Sequence, residues 1–156
     1  MNEISSQTVK LTSNDANAFF VLEIQLKHKD YDKKNIERLS KLIDQNILLV
    51  LVYEDFAKLA VYKTVLHETE WKSQEDISLT LNGIDFDSMW ENVIRSVGGI
   101  DLKEDTTLEE QIIINIEKSK IQKQIDALKK KIRNEKQFNR QIEIKAEIKK
   151  LEGMIK

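Results

Sequence analysis

The spacing of apolar and polar positions changes several times along this chain, and each change predicts an element. Phe20, Leu22, Ile24 and Leu26 alternate with Val21, Glu23, Gln25 and Lys27. A period of two marks a strand with one buried face, because successive side chains of an extended chain point to opposite sides. Upstream, Gln7–Thr12 reads as a shorter strand and Ser13-Asn14-Asp15 as the turn between the two. Downstream the period lengthens. Ile36, Leu39, Leu42 and Ile43 form one helical stripe, and Asp32 is placed to cap a helix starting at Lys33. Ile47 to Tyr53 is apolar without a break, as a strand covered on both faces must be. Glu54–Ala57 turns the chain, and Lys58–Val65 alternates again, as the hairpin partner of that strand. The unit is β-β-α-β-β, with a helix long enough to carry a parallel crossover.

The second half is less regular. Ile77, Leu79 and Leu81 alternate and predict a further short strand, closed by an Asn82-Gly83 turn. Phe86, Trp90, Val93 and Val97 lie on one side of a helix from about Asp87 to Val97. Ser88 and Glu91 have capping-box spacing, and Gly98-Gly99 ends that helix. Thr107 and Glu110 have the same spacing and open a long polar tail. There Ile114, Ile121, Ile125, Leu128 and Ile132 repeat in a heptad-like seam. The seam breaks at Glu135, and a new stripe begins with Ile144, Ile148, Leu151 and Ile155. Either the tail folds back as a helical hairpin near Asn134–Gln137, or one helix changes its packing face. Such a seam needs a partner: the tail itself, the sheet, another copy or another protein.

The fold class is therefore α+β. A small, mostly antiparallel sheet with a packed helix occupies residues 1–104, and a basic helical, coiled-coil-like tail occupies residues 105–156. The absence of proline fits the long helices. Charge sharpens the division. Net charge is −2, but residues 120–156 carry 12 Lys/Arg against 5 Asp/Glu, a balance of +7 that leaves −9 for residues 1–119. Such asymmetry suggests an interaction arm for protein or nucleic acid, and the plain alternative is a solvated helix laced with i,i+4 ion pairs. The absence of cysteine excludes disulfides, thiol nucleophiles and cysteine-based metal sites, and fits a reducing cytoplasm. No signal peptide is visible, and the most apolar run is too short to span a bilayer.

Catalytic signatures are missing. None of the four glycines forms a phosphate-cradling loop. His28 and His67 lack a metal-spaced partner and read as polar residues at strand ends. One arrangement has chemical potential: Asp15, then Glu23, Gln25 and Lys27 on one strand face. Metal-dependent nucleases place carboxylates to hold Mg²⁺ and a lysine to steady the attacking water in this way. The plain alternative is the polar face of an exposed strand. Trp71, Trp90, Tyr53 and Tyr62 are the base-stacking candidates, but only Trp71 lies in a polar stretch; the others follow core patterns.

The segments VLEIQLKHKDYDKKNIERLSKLIDQNILLVLVYEDFAKLAVYK, HETEW, FDSMWENVIRSV and IQKQIDALKKKIRNEKQFNRQIEIKAEIKKLEGMI cover nearly the whole chain. Together they resemble the prokaryotic family called domain of unknown function 4391, most specifically through RNEKQFNRQIEIKAEIKKL. The resemblance implies a shortened member, a fragment or a divergent relative, without the family's usual N-terminal portion. It implies no established activity and no cofactor. It does imply a setting beside helicases and DNA methyltransferases of restriction-like or phage-defence systems. It also directs attention to Glu135, Lys136, Gln137, Phe138, Asn139 and Arg140, a polar surface with one aromatic anchor, as a partner-binding site; the plain alternative is a helix turn whose polar side chains cap or bridge the two arms. The expectation is a non-enzymatic accessory or adaptor protein with a helicase or methyltransferase partner and possible self-association through the tail. The rivals are a nuclease using Asp15, Glu23, Gln25 and Lys27, and a nucleic-acid binder using the basic tail.

Overall fold

The computed structural model describes residues 4–12 and 18–156, with side chains from Ala18 onward. The chain divides into two compact units, Met1–Leu108 and Glu109–Lys156. The first holds a mixed sheet: β1 (Ile4–Thr12), β2 (Ala18–Gln25), β3 (Asn46–Tyr53), β4 (Phe56–Lys63) and β5 (Val65–Glu68) lie side by side in chain order. A two-residue strand, β6 (Lys72–Ser73), pairs with β4 beyond β5. All pairs are antiparallel except β2 with β3, which are parallel and joined by helix α1 (Lys33–Leu42). The expected β-β-α-β-β order is thus present. The expected turn at Ser13–Asp15 lies outside the described residues.

Both faces of the sheet are covered. On one, Ile24 and Leu26 of the β2 strip join Ile47, Leu49 and Leu51 of β3, Ala60 of β4 and Ile36 of α1 in one buried cluster. Side chains of opposite parity, among them Phe19, Leu48, Val52, Leu59 and Val61, are buried as well. Phe19 meets Phe86 and Trp90 of helix α2 (Phe86–Gly98), which packs against β4 and β5. This double cover explains why Ile47–Tyr53 has no polar position. Trp90 belongs to this packing, as its place on the apolar stripe of α2 predicts.

Two local expectations are corrected. The alternating segment Ile77–Leu81 joins no ladder, and the strands after β4 are instead β5 and β6. The remaining edge of β4 takes up that earlier stretch, with Ala60 opposite Glu68 and Val61 opposite His67. Helix α2 begins one turn earlier than the Ser88/Glu91 spacing suggested. Its capping box is Asp85 with Ser88: the Asp85 carboxylate accepts from the Ser88 backbone N–H at 2.8 Å, and the Ser88 hydroxyl accepts from the Asp85 N–H. At the other end Gly99 takes the left-handed conformation, φ 59°, that glycine adopts without Cβ strain.

The second unit is a helical hairpin. Helix α3 runs Leu108–Asn134 and helix α4 Phe138–Met154. Ile121, Ile125, Leu128 and Ile132 of α3 pack on Ile144, Ile148, Leu151 and Ile155 of the α4 arm. The tail therefore folds back on itself, and the seam finds its partner within the tail.

Candidate functional site

The hairpin tip is built by three residues, Glu135–Gln137, with neither glycine nor proline. Polar groups do that work. The Glu135 carboxylate accepts from the Gln137 backbone N–H at 2.9 Å, and Gln141 Nε2 donates to the Glu135 carbonyl at 2.7 Å. Gln137 is the extended N-cap residue of α4 but makes no side-chain cap, so Glu135 serves one of the unpaired amides there. Of the six residues singled out at the tip, Glu135 and Gln137 thus shape the turn. Lys136, Phe138, Asn139 and Arg140 are exposed. Phe138 is 73% exposed, and Ile142, one turn further on the same side of α4, is 51% exposed. Ile142 was missed in the sequence, although its i+4 spacing from Phe138 was readable.

The nuclease-like set is only partly assembled. Glu23 and Gln25 share one face of β2, opposite Val50 and Val52 of β3. Lys27 follows the end of the strand and is exposed, and Asp15 lies outside the described residues. Among the described residues, no three His, Asp or Glu side chains gather where they could hold a metal.

A different cluster, unanticipated, lies where the β2–α1 loop meets β4 and β5. Lys58, in the middle of β4, is buried and pairs with Glu68 at 3.1 Å; their side chains are 8% and 7% exposed. Glu68 also accepts from the Tyr31 hydroxyl and from Lys33. The Lys58 ammonium lies 5.0 Å from the Tyr31 ring and 5.2 Å from that of Trp71, and the two rings meet edge to face. Lys29 caps the outside, 4.4 Å from the centre of the Phe56 ring. Burial alone would raise the Glu68 pKa, but hydrogen bonds from Lys33, Tyr31 and Lys58 outweigh it and hold the carboxyl below its usual range. Burial, then the hydrogen bond to Glu68 and its charge, push the Tyr31 phenol far up. With Glu68 committed to three donors and Tyr31 held as a phenol, the cluster ties the loop to the sheet and leaves neither group free as an acid or base. Trp71 is half-buried in it. His67, in β5, is also half-buried; burial lowers its pKa, and its Nε2 bonds the Lys63 carbonyl at 3.1 Å.

Both the fold and these residues fall inside one family match. Residues 1–155 match the model of a domain of unknown function (DUF4391). The chain belongs to this family. Searches of curated proteins and of solved structures found no match. In this DUF4391 chain the HETEW segment quoted above is the stretch that carries Glu68 and Trp71, so the ionic cluster accounts physically for two of its residues. No helix among the described residues is long and apolar enough to cross a membrane.

Proposed function

We propose that this protein is a non-enzymatic accessory subunit that docks through its hairpin tip onto a helicase or DNA methyltransferase of a prokaryotic DNA-defence or restriction-like system. The observation that carries the reading is the contrast within the hairpin. The long seam is closed internally, yet Phe138 and Ile142 stand in water on one side of α4, with the exposed Lys136 and Arg140 close by in the chain. An aromatic anchor with an adjacent aliphatic residue and a basic rim has the composition of an interface hot spot. The commitment of Glu68 and Tyr31 to structural bonds supports a binding role over a catalytic one.

The test is co-purification of the full-length tagged protein from its native host. Wild type should recover a helicase or methyltransferase, and Phe138→Ala with Arg140→Glu should lose it at an unchanged melting temperature. Recovery of the same partner by the double variant would remove the tip from the interface. Cleavage of DNA or RNA in Mg²⁺ or Mn²⁺, lost in Glu23→Gln, would replace the adaptor reading with the nuclease one.

A further inference from the structure

The basic charges of the hairpin are not laced into ion pairs. Among the described residues, of the 12 Lys and Arg between residues 120 and 156 Lys129 alone pairs with a carboxylate, meeting Glu152 across the two helices at 2.9 Å. That bridge identifies one face of the hairpin. Residues three, four and seven apart share a helix face, so Arg133 lies beside Lys129, while Lys145 and Lys149 lie beside Glu152. Four cations thus share a face on which the acids are Asp126 and Glu152, the first held by Gln122 and the second by Lys129. Lys145, Lys149 and Arg133 are all exposed.

We infer that this face is a binding site for the phosphate backbone of duplex nucleic acid. Lys129 and Arg133 on α3, and Lys145 and Lys149 on α4, are each four residues apart. They climb roughly 6 Å along their helices at about 1.5 Å per residue. Two phosphate steps of one strand advance about 6.8 Å along a duplex axis. Two parallel pairs at this spacing match a row of phosphates. Lysine-rich contacts of this kind hold backbone without reading sequence. The remaining chain carries the opposite charge, −9 over residues 1–119, so a polyanion is steered to the hairpin and away from the sheet unit. The site shares one side of α4 with Phe138 and Ile142, which precede Lys145 by seven and three residues, and differs from the proposed tip interface in resting on the basic side chains rather than on the apolar pair.

Fluorescence anisotropy with the full-length protein and a labelled mixed-sequence DNA duplex tests it. Affinity should fall about a hundredfold between 50 and 200 mM salt, as release of counterions from about four phosphates requires. Lys145→Glu with Lys149→Glu should weaken binding at least tenfold and flatten the salt slope. Lys123→Glu with Lys130→Glu, which changes net charge equally but lies on the side of α3 away from the seam, should weaken it no more than about threefold. Phe138→Ala should leave it unchanged. Circular dichroism melting checks that each variant is folded. Absence of binding at low salt, a flat salt response, or equal loss in the two charge variants would overturn the assignment. Equally tight binding of poly-glutamate at the same salt would reassign the face to acidic protein.

Discussion

The sheet unit and the hairpin solve the same problem, burial of apolar surface, in opposite ways. In the sheet unit β3 and β4 are covered on both faces, and Leu49, Leu51, Ala60 and Val61 are fully buried. Their neighbours come from distant parts of the chain: β2, α1, α2 and the HETEW segment. The hairpin has one seam between two helices, and Ile125, Ile144 and Ile148 are its buried residues. A sheet enclosed on two sides can house a charged cluster, because many contacts fix its geometry. A two-helix seam has no interior to spare, so its charges face water and remain available. This is why the buried lysine lies in an acidic unit, and why the unpaired lysines lie on the arm.

The largest effect should come from breaking the cluster. Glu68→Ala leaves Lys58 buried without its counter-charge and should cost about 3–5 kcal/mol in chemical denaturation. Lys58→Met with Glu68→Leu removes both charges and should recover most of that loss, since an apolar pair of similar volume is often neutral. A Glu68→Ala cost below about 1 kcal/mol would mean that Lys58 reaches water, and the sheet unit would lose its enclosed character.

Next is the seam. Ile125→Ala should cost about 2–4 kcal/mol, on the scale of other large-to-small core changes. It should lower hairpin helicity in circular dichroism while the Trp71 and Trp90 fluorescence of the sheet unit is unchanged. A shift of tryptophan emission in step with lost helicity would show that the units melt as one.

Acid should distinguish the units more mildly, and two groups set the sign. Glu68 has a folded pKa below its unfolded value near 4.5, so its contribution is complete above that pH and is lost as pH falls through the folded value. Burial lowers His67 below 6.5, so the folded unit resists a proton that the unfolded chain accepts. Its contribution is likewise complete above 6.5 and declines as pH falls to the folded value. Thermal melting of the sheet unit should therefore fall in two steps on acidification. His67→Gln should remove the upper step and Glu68→Gln the lower. Unchanged profiles in both variants would refute this assignment.

How much of this was legible depended on how far apart the interacting residues are. The unbroken run Ile47–Tyr53 and the even positions of β2 announce their strands because the signal lies within each strand. The hairpin was one of two readings, since the seam break at Glu135 was visible but the turn contains no breaker residue. What settles it is a carboxylate accepting from a backbone amide two residues on. The ionic cluster was invisible for a different reason. A lysine in an alternating strand reads as solvent-facing, and nothing local to Lys58 reveals that Glu68 lies ten residues on or that Tyr31 comes from another loop. The segment Ile77–Leu81 failed in the opposite direction: its alternation is real, but Thr69 already takes the backbone of Leu59, donating its N–H to that carbonyl at 2.9 Å. Pattern proposes a strand, and the free edge of the neighbouring strand decides which segment pairs.

The smallest expected effect is the most telling for the division of labour. Phe138 contributes no ring to the seam, being 73% exposed at the tip. Phe138→Ala should therefore change stability by no more than about 0.5 kcal/mol, the range of surface substitutions. Truncation after Lys118 goes further and removes every residue of the seam. The buried cluster beneath α1, the aromatic contacts of Phe19 with α2 and the ionic cluster all lie between residues 19 and 97. The truncated protein should therefore keep the tryptophan emission and melting midpoint of the sheet unit, and lose only helical signal. Calorimetry of the full chain and the truncation, run side by side, decides it. A truncated chain that melts well below the intact one would show that the sheet unit depends on the hairpin, and the arm could then no longer be treated as a surface added to a self-sufficient fold.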